Sequence, residues 1–166
     1  MALTQVASGL IASVAASTLT GTQTIPRGTL PTGSVLQVVS ATYSTLVANS
    51  TATFVDTGLT ATITPTSATS KILILVGHPN SYKGGPSTSS MGVKLFRGAT
   101  DLGKLIDQAN YGGGNVFCVN FNYYDSPSST SALVYKTQFN SEGAVGIINV
   151  QLNNYPSTIT LMEVAP

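Results

Sequence analysis

At 166 residues, with a net charge of +1 and 8% charged side chains, the chain has room for one ordinary domain plus an arm and far fewer ions than the usual quarter or so of a soluble domain. No Lys/Arg cluster neutralises a row of phosphates or makes the basic face of a membrane-surface helix, and no apolar run reaches the roughly eighteen residues of a membrane span, so nucleic-acid binding and membrane insertion are not expected. A single cysteine rules out an intrachain disulfide and leaves a tetrahedral zinc site short of soft ligands.

Residues 1–33 read as an N-terminal docking arm and linker. Val6, Leu10, Ile11 and Val14 fall about one helical turn apart, which allows one short amphipathic helix. An isolated helix of that length is marginal in water. Val6 to Ala16 is only weakly like a signal-peptide core, because it lacks a positive leader and is broken by Ser8, Gly9 and Ser13. The stretch is therefore read as part of the working protein. Around Ile25 and Leu30, Pro26 and Pro31 favour extended or turning backbone. Leu10, Ile11, Val14 and Leu19 are the expected anchors of this extended or partly helical arm.

From residue 34 to 166 the pattern changes to short strands. Val35 to Tyr43 is the first, and the turn Asp56-Thr57-Gly58 separates two more. In the second of these, Leu59, Ala61 and Ile63 alternate with Thr60, Thr62 and Thr64, as in a half-buried strand, and Pro65 ends it. Lys71 to Val76 is a continuous apolar run expected mid-sheet. A polar, glycine-rich loop is expected from His78 to Ser90, then strands at Gly92–Phe96 and Leu102–Ile106. A second glycine loop, Tyr111 to Asn115, leads into Val116–Tyr124, in which Cys118 is expected as a buried thiol. Leu133–Phe139 alternates, Ser141-Glu142-Gly143 is expected to close a hairpin to Val145–Leu152, and Thr158–Val164 ends the domain. Some nine or ten strands punctuated by turns predict an all-β, antiparallel, jelly-roll-like β-sandwich.

Several of these blocks carry a resemblance. Leu30-Pro31-Thr32-Gly33-Ser34-Val35-Leu36-Gln37-Val38-Val39 resembles a junction in tail-fibre and related virion proteins of bacteriophages, especially cyanobacterial and marine ones. Phe54 to Leu59, Ile63 to Ser67, Ser70 to Val76, Val93 to Arg97 and Ile159 to Val164 are similar too. The shared motifs are strands and turns rather than chemistry. The resemblance implies a sandwich module of a virion that assembles as a homotrimer. Long fibres carry shaft repeats, which this chain lacks, so a stubby tail appendage stands beside capsid decoration (cement) or a tail connector. An oxygen-ligated ion on a trimer axis stays open, while no cofactor and no metal cluster is expected within the chain.

The chemistry in the sequence is sparse. His78 is the only histidine; a triad with Asp56 or Asp101 can be drawn on paper, but no Gly-x-Ser-x-Gly elbow accompanies it. His78 is therefore read as a strand-end or loop residue. Asp101 and Asp107 flank one short strand and do not form the close carboxylate pair of glycan hydrolysis. Gly84-Gly85 and Gly112-Gly113-Gly114 lack nucleotide-fingerprint spacing. No catalytic residue is expected. Tyr82, Lys83 and Tyr111, placed in or beside glycine-rich loops, are the candidates for an outward contact surface, with a host cell-surface glycan as partner. The arm would join other virion proteins.

Overall fold

The computed structural model describes residues 30–166 apart from 87, 89 and 110–113. The expected arm anchors Leu10, Ile11, Val14 and Leu19 lie outside the described residues, as does Tyr111. One compact unit runs from Pro31 to Pro166.

Among the described residues ten strands make two antiparallel sheets: β1 (Val35–Tyr43), β2 (Val47–Asn49), β3 (Val55–Ile63), β4 (Lys71–Lys83), β5 (Ser90–Arg97), β6 (Thr100–Ala109), β7 (Asn115–Asp125), β8 (Leu133–Glu142), β9 (Ile148–Val150) and β10 (Ser157–Val164). A single 3-10 turn, Leu152–Asn154, is the helical element among the described residues. Sheet A holds β1, β10, β4, β7, β9 and β2; sheet B runs β3-β8-β5-β6. The predicted all-β sandwich is the observed fold.

The thirteen-residue β4 is the spine of sheet A. β7 lies along one side for its whole length. On the other side β10 pairs with Lys71–Gly77 and β9 with Tyr82–Lys83. The apolar run of β4 therefore does lie mid-sheet. Only alternate residues of it enter the core, however: Ile72, Ile74 and Val76 are buried between the sheets, whereas Leu73 and Leu75 emerge on the outer side.

The core forms two clusters. One packs Leu59, Ala61 and Ile63 of β3 against Ile72, Ile74, Ile159 and Leu161 of sheet A, with Tyr135 and Leu95 from sheet B. The other gathers Met91, Val93 and Phe139 of sheet B against Val119, Ile148 and Val150. Burying each such aliphatic side chain stabilises the fold by roughly 1.5–3 kcal/mol.

Four details differ from the sequence reading. Asp56-Thr57-Gly58 is no turn: β3 continues through it, and the register against β8 shifts between Asp56 and Thr60. Gly58 has φ +83°, and a Cβ there would collide with the Tyr43 ring, so the bulge needs glycine. Ser141-Glu142-Gly143 closes no hairpin, because β8 belongs to sheet B and β9 to sheet A; the chain changes sheets there. The loop expected from His78 begins only at Gly84, since β4 runs on to Lys83. Cys118 is exposed, because β7 alternates and Phe117 and Val119 are the residues turned inward.

The domain has two distinct ends. The chain enters where Gly33 N–H donates to the Ala165 carbonyl and Ala165 N–H to that of Ser34. This end also holds Lys71, opposite Val164. At the other end of β4, Lys83 lies opposite Asn115. At about 3.3 Å per residue, β4 separates the two ends by roughly 40 Å.

Candidate functional site: a buried polar seam and an uncharged sheet face

His78 lies inside the sandwich, mid-strand and fully buried. Its Nδ1 is 2.8 Å from Ser157 Oγ on β10 and its Nε2 is 3.2 Å from Thr137 Oγ1 on β8. The seam continues at both ends: Gln151 Nε2 donates to Ser157 Oγ at 2.9 Å, and the hydroxyls of Thr137 and Thr57 lie 2.6 Å apart. A polar chain thus crosses from sheet A to sheet B. Burial lowers the His78 pKa to about 4, keeping the ring neutral. Its two ring nitrogens face hydroxyls, not a carboxylate, and Asp56 is engaged by Lys136 and Gln138 and Asp101 by Lys94. The triad drawn on paper is not assembled. His78 is also not the strand-end or loop residue expected; it ties the sheets together.

Just after His78, β4 carries a bulge. Pro79 and Asn80 together oppose the single residue Cys118, with Asn80 at φ +53°. Proline has no N–H to leave unpaired, and asparagine tolerates the left-handed conformation. The extra residue inverts the alternation beyond it. Ser81 and Lys83 turn inward and are fully buried, while Tyr82 turns to the outer face. Of the expected contact residues, then, Tyr82 is half-buried on a sheet face and Lys83 is interior. Neither is a loop residue. The signal that could have shown this is the Pro-Asn pair, a bulge dipeptide inside an otherwise strand-like run.

The outer face of sheet A is ordered by register. Val38, Met162, Leu73 and Tyr124 lie side by side across β1, β10, β4 and β7. The next rows are Ser40, Thr160, Leu75, Asn122 and then Thr42, Thr158, Gly77, Asn120. Beyond the bulge, Ala48, Asn149, Tyr82 and Val116 continue the pattern across β2, β9, β4 and β7. Val38, Tyr124 and Val116 are each more than half exposed. Hydroxyls meet along the sheet, with Ser40 Oγ 3.1 Å from Thr160 Oγ1. None of these four rows carries a charge; Lys71, bonded to Ser126 Oγ, stands at the rim.

Sheet B is the opposite. Its strands carry the ion pairs Lys94–Asp101, Lys104–Asp107, Lys104–Glu142 and Lys136–Asp56. Arg97 of β5 adds a bond to Asp125 at the end of β7. A shallow hollow beside the β3 bulge, lined by Asp56, Gly58, Leu59, Thr60 and Lys136, measures about 160 Å³, below the range of a ligand pocket. Among the described residues no three His, Cys, Asp or Glu side chains gather to hold a metal ion.

No known protein family matches the chain, and no curated protein does. Among solved structures it is similar to the viral particle of infectious bursal disease virus, at 14% identity and TM-score 0.38, covering 78% of this chain and 35% of that one. A structure of the Gt strain of the same virus is 12% identical with TM-score 0.36, covering 89% and 43%. The chain thus spans well under half the length of these neighbours, and the likeness concerns sandwich architecture alone.

Proposed function

We propose that the protein is a non-enzymatic structural component of a virus particle: a short, trimeric, tail-fibre-like appendage of a bacteriophage, docked by its N-terminal arm. The observation that carries this reading is the polarity of the domain. The chain enters at one end of β4, and Lys83 and Asn115 pair at the other. If the protein docks by its N-terminal arm, that second end of the domain is the one available for recognition, which connecting segments ordinarily carry. Support comes from the sequence resemblance to phage virion proteins and from the wholly structural use of His78. In this reading the second end of the domain contacts a host cell-surface glycan without making or breaking a bond.

The second reading, a capsid decoration protein, uses the same docking arm and leaves the outward end idle. A chain beginning at Ser34 tests both readings. It is expected to fold and to be missing from purified particles, as judged by mass spectrometry. Truncated protein found at normal copy number would remove the docking role. Labelling the full chain in particle images then separates tail from capsid.

A further inference from the structure

The pattern of β4 and the composition of sheet A point to one surface. A strand that is apolar on both faces is ordinarily covered on both. β4 has Ile72, Ile74 and Val76 in the core, yet Leu73 and Leu75 face outward, and Leu75 is 38% exposed. They sit in the middle of the four uncharged rows, flanked by Val38, Met162 and Tyr124. Among the described residues four of the five ion pairs lie within sheet B and the fifth joins its Arg97 to Asp125 at the end of β7, so the lack of charge on the outer rows of sheet A is a segregation and not merely a thin supply.

We infer that the outer face of sheet A is the contact surface between copies of this chain. This rests on the self-assembling reading given above and names the face that does it. The argument for a second copy is complementarity. A charged patch that meets its own copy brings like charges together near the symmetry axis, whereas an uncharged one does not. Ser40, Thr42, Thr158, Thr160, Asn120 and Asn122 each both donate and accept hydrogen bonds, so two copies of this surface satisfy one another. A strongly acidic or basic partner would find no counter-charge on these rows. Four strands of eight or more residues present roughly 600 Å² in projection, which is the order of area each partner contributes to a stable interface.

The test uses the full chain and light scattering at micromolar concentration. Val38→Lys combined with Tyr124→Lys places cations on two exposed side chains of one row, and Thr62→Lys places one on the outer face of sheet B as a control. The wild-type chain and the control are expected as a multimer of 17.1 kDa units. The double variant is expected to self-associate about a hundredfold more weakly or worse, with unchanged circular dichroism. Cys118, exposed on the same face of β7, reports independently: it should alkylate several-fold faster in the double variant than in the wild type. Should the apolar pair fail to fold, Ser40→Asp with Asn122→Asp imposes like charges on polar, exposed positions instead. A wild-type multimer that survives these charges overturns the assignment of the face while leaving self-assembly standing. A wild-type chain of 17.1 kDa overturns both, even if Cys118 is protected, since that protection would then come from another occupant.

Discussion

Tyr135 on β8 donates its hydroxyl to Asp125 at the end of β7 over 2.6 Å, so a carboxylate of sheet A is held by a core residue of sheet B. Arg97 of β5 donates to the same oxygen at 2.6 Å, and Ser126 N–H to the other at 2.8 Å. Burial, then the bond to Asp125, raises the tyrosine pKa well above its ordinary value, so the phenol stays protonated and remains the donor. Asp125→Ala leaves a guanidinium and a buried phenol without their acceptor. The expected loss is about 2–4 kcal/mol in urea unfolding. Tyr135→Phe, which leaves the Arg97 bond in place, should cost only about 1–2 kcal/mol. Equal losses for the two variants would show that the phenol, not the ion pair, is the dominant partner.

Acid should loosen the sandwich in two separate steps. Burial lowers the His78 pKa from 6.5 to about 4, so the neutral ring is the folded form. The stability it contributes is complete above pH 6.5. As pH falls below that, the unfolded chain binds a proton that the folded chain refuses, and stability drops until about pH 4, where the folded ring titrates as well. The loss is of order 3 kcal/mol. Asp56, Asp101 and Glu163 have lowered pKa values, with Asp56 and Glu163 held down by hydrogen bonds that outweigh burial and Asp101 chiefly by its bond to Lys94. Their contribution disappears only at still lower pH, as they protonate. His78→Gln should flatten the profile between pH 6.5 and 4 without moving the more acidic step. A parallel shift of the whole curve would place the titrating group elsewhere.

Gly58→Ala addresses the β3 bulge. The substitution puts a Cβ into the Tyr43 ring at a φ of +83°, so strain and collision act together. The expected cost is about 2–4 kcal/mol in thermal or urea unfolding. Adding Tyr43→Ala should relieve the collision but not the backbone strain, so the double variant should lose less than the sum of the two single losses. Full additivity would mean that the ring moves aside freely.

What the sequence by itself determined is the alternation of its strands and with it the sandwich. Leu59, Ala61 and Ile63 against Thr60 and Thr62 marks a half-buried strand whatever surrounds it, because side chains on a strand repeat every two residues. The apolar β4 run was legible for the same local reason, whereas Asp56-Thr57-Gly58, which has the composition of a turn, is a bulge within β3. Which sheet each strand joins was not legible, since Ser141-Glu142-Gly143 suits a hairpin and a change of sheet equally well. The direction of Tyr82 and Lys83 was lost for a subtler reason. A period-two pattern carries its phase along the strand, and the bulge at Pro79-Asn80 resets that phase only because β7 offers a single residue, Cys118, opposite two. The seam through His78 and the uncharged rows of sheet A are likewise products of register. Ser157, Thr137 and His78 are far apart in the chain and ordinary where they stand; hydrogen bonding between strands and packing between sheets brings them into one polar line.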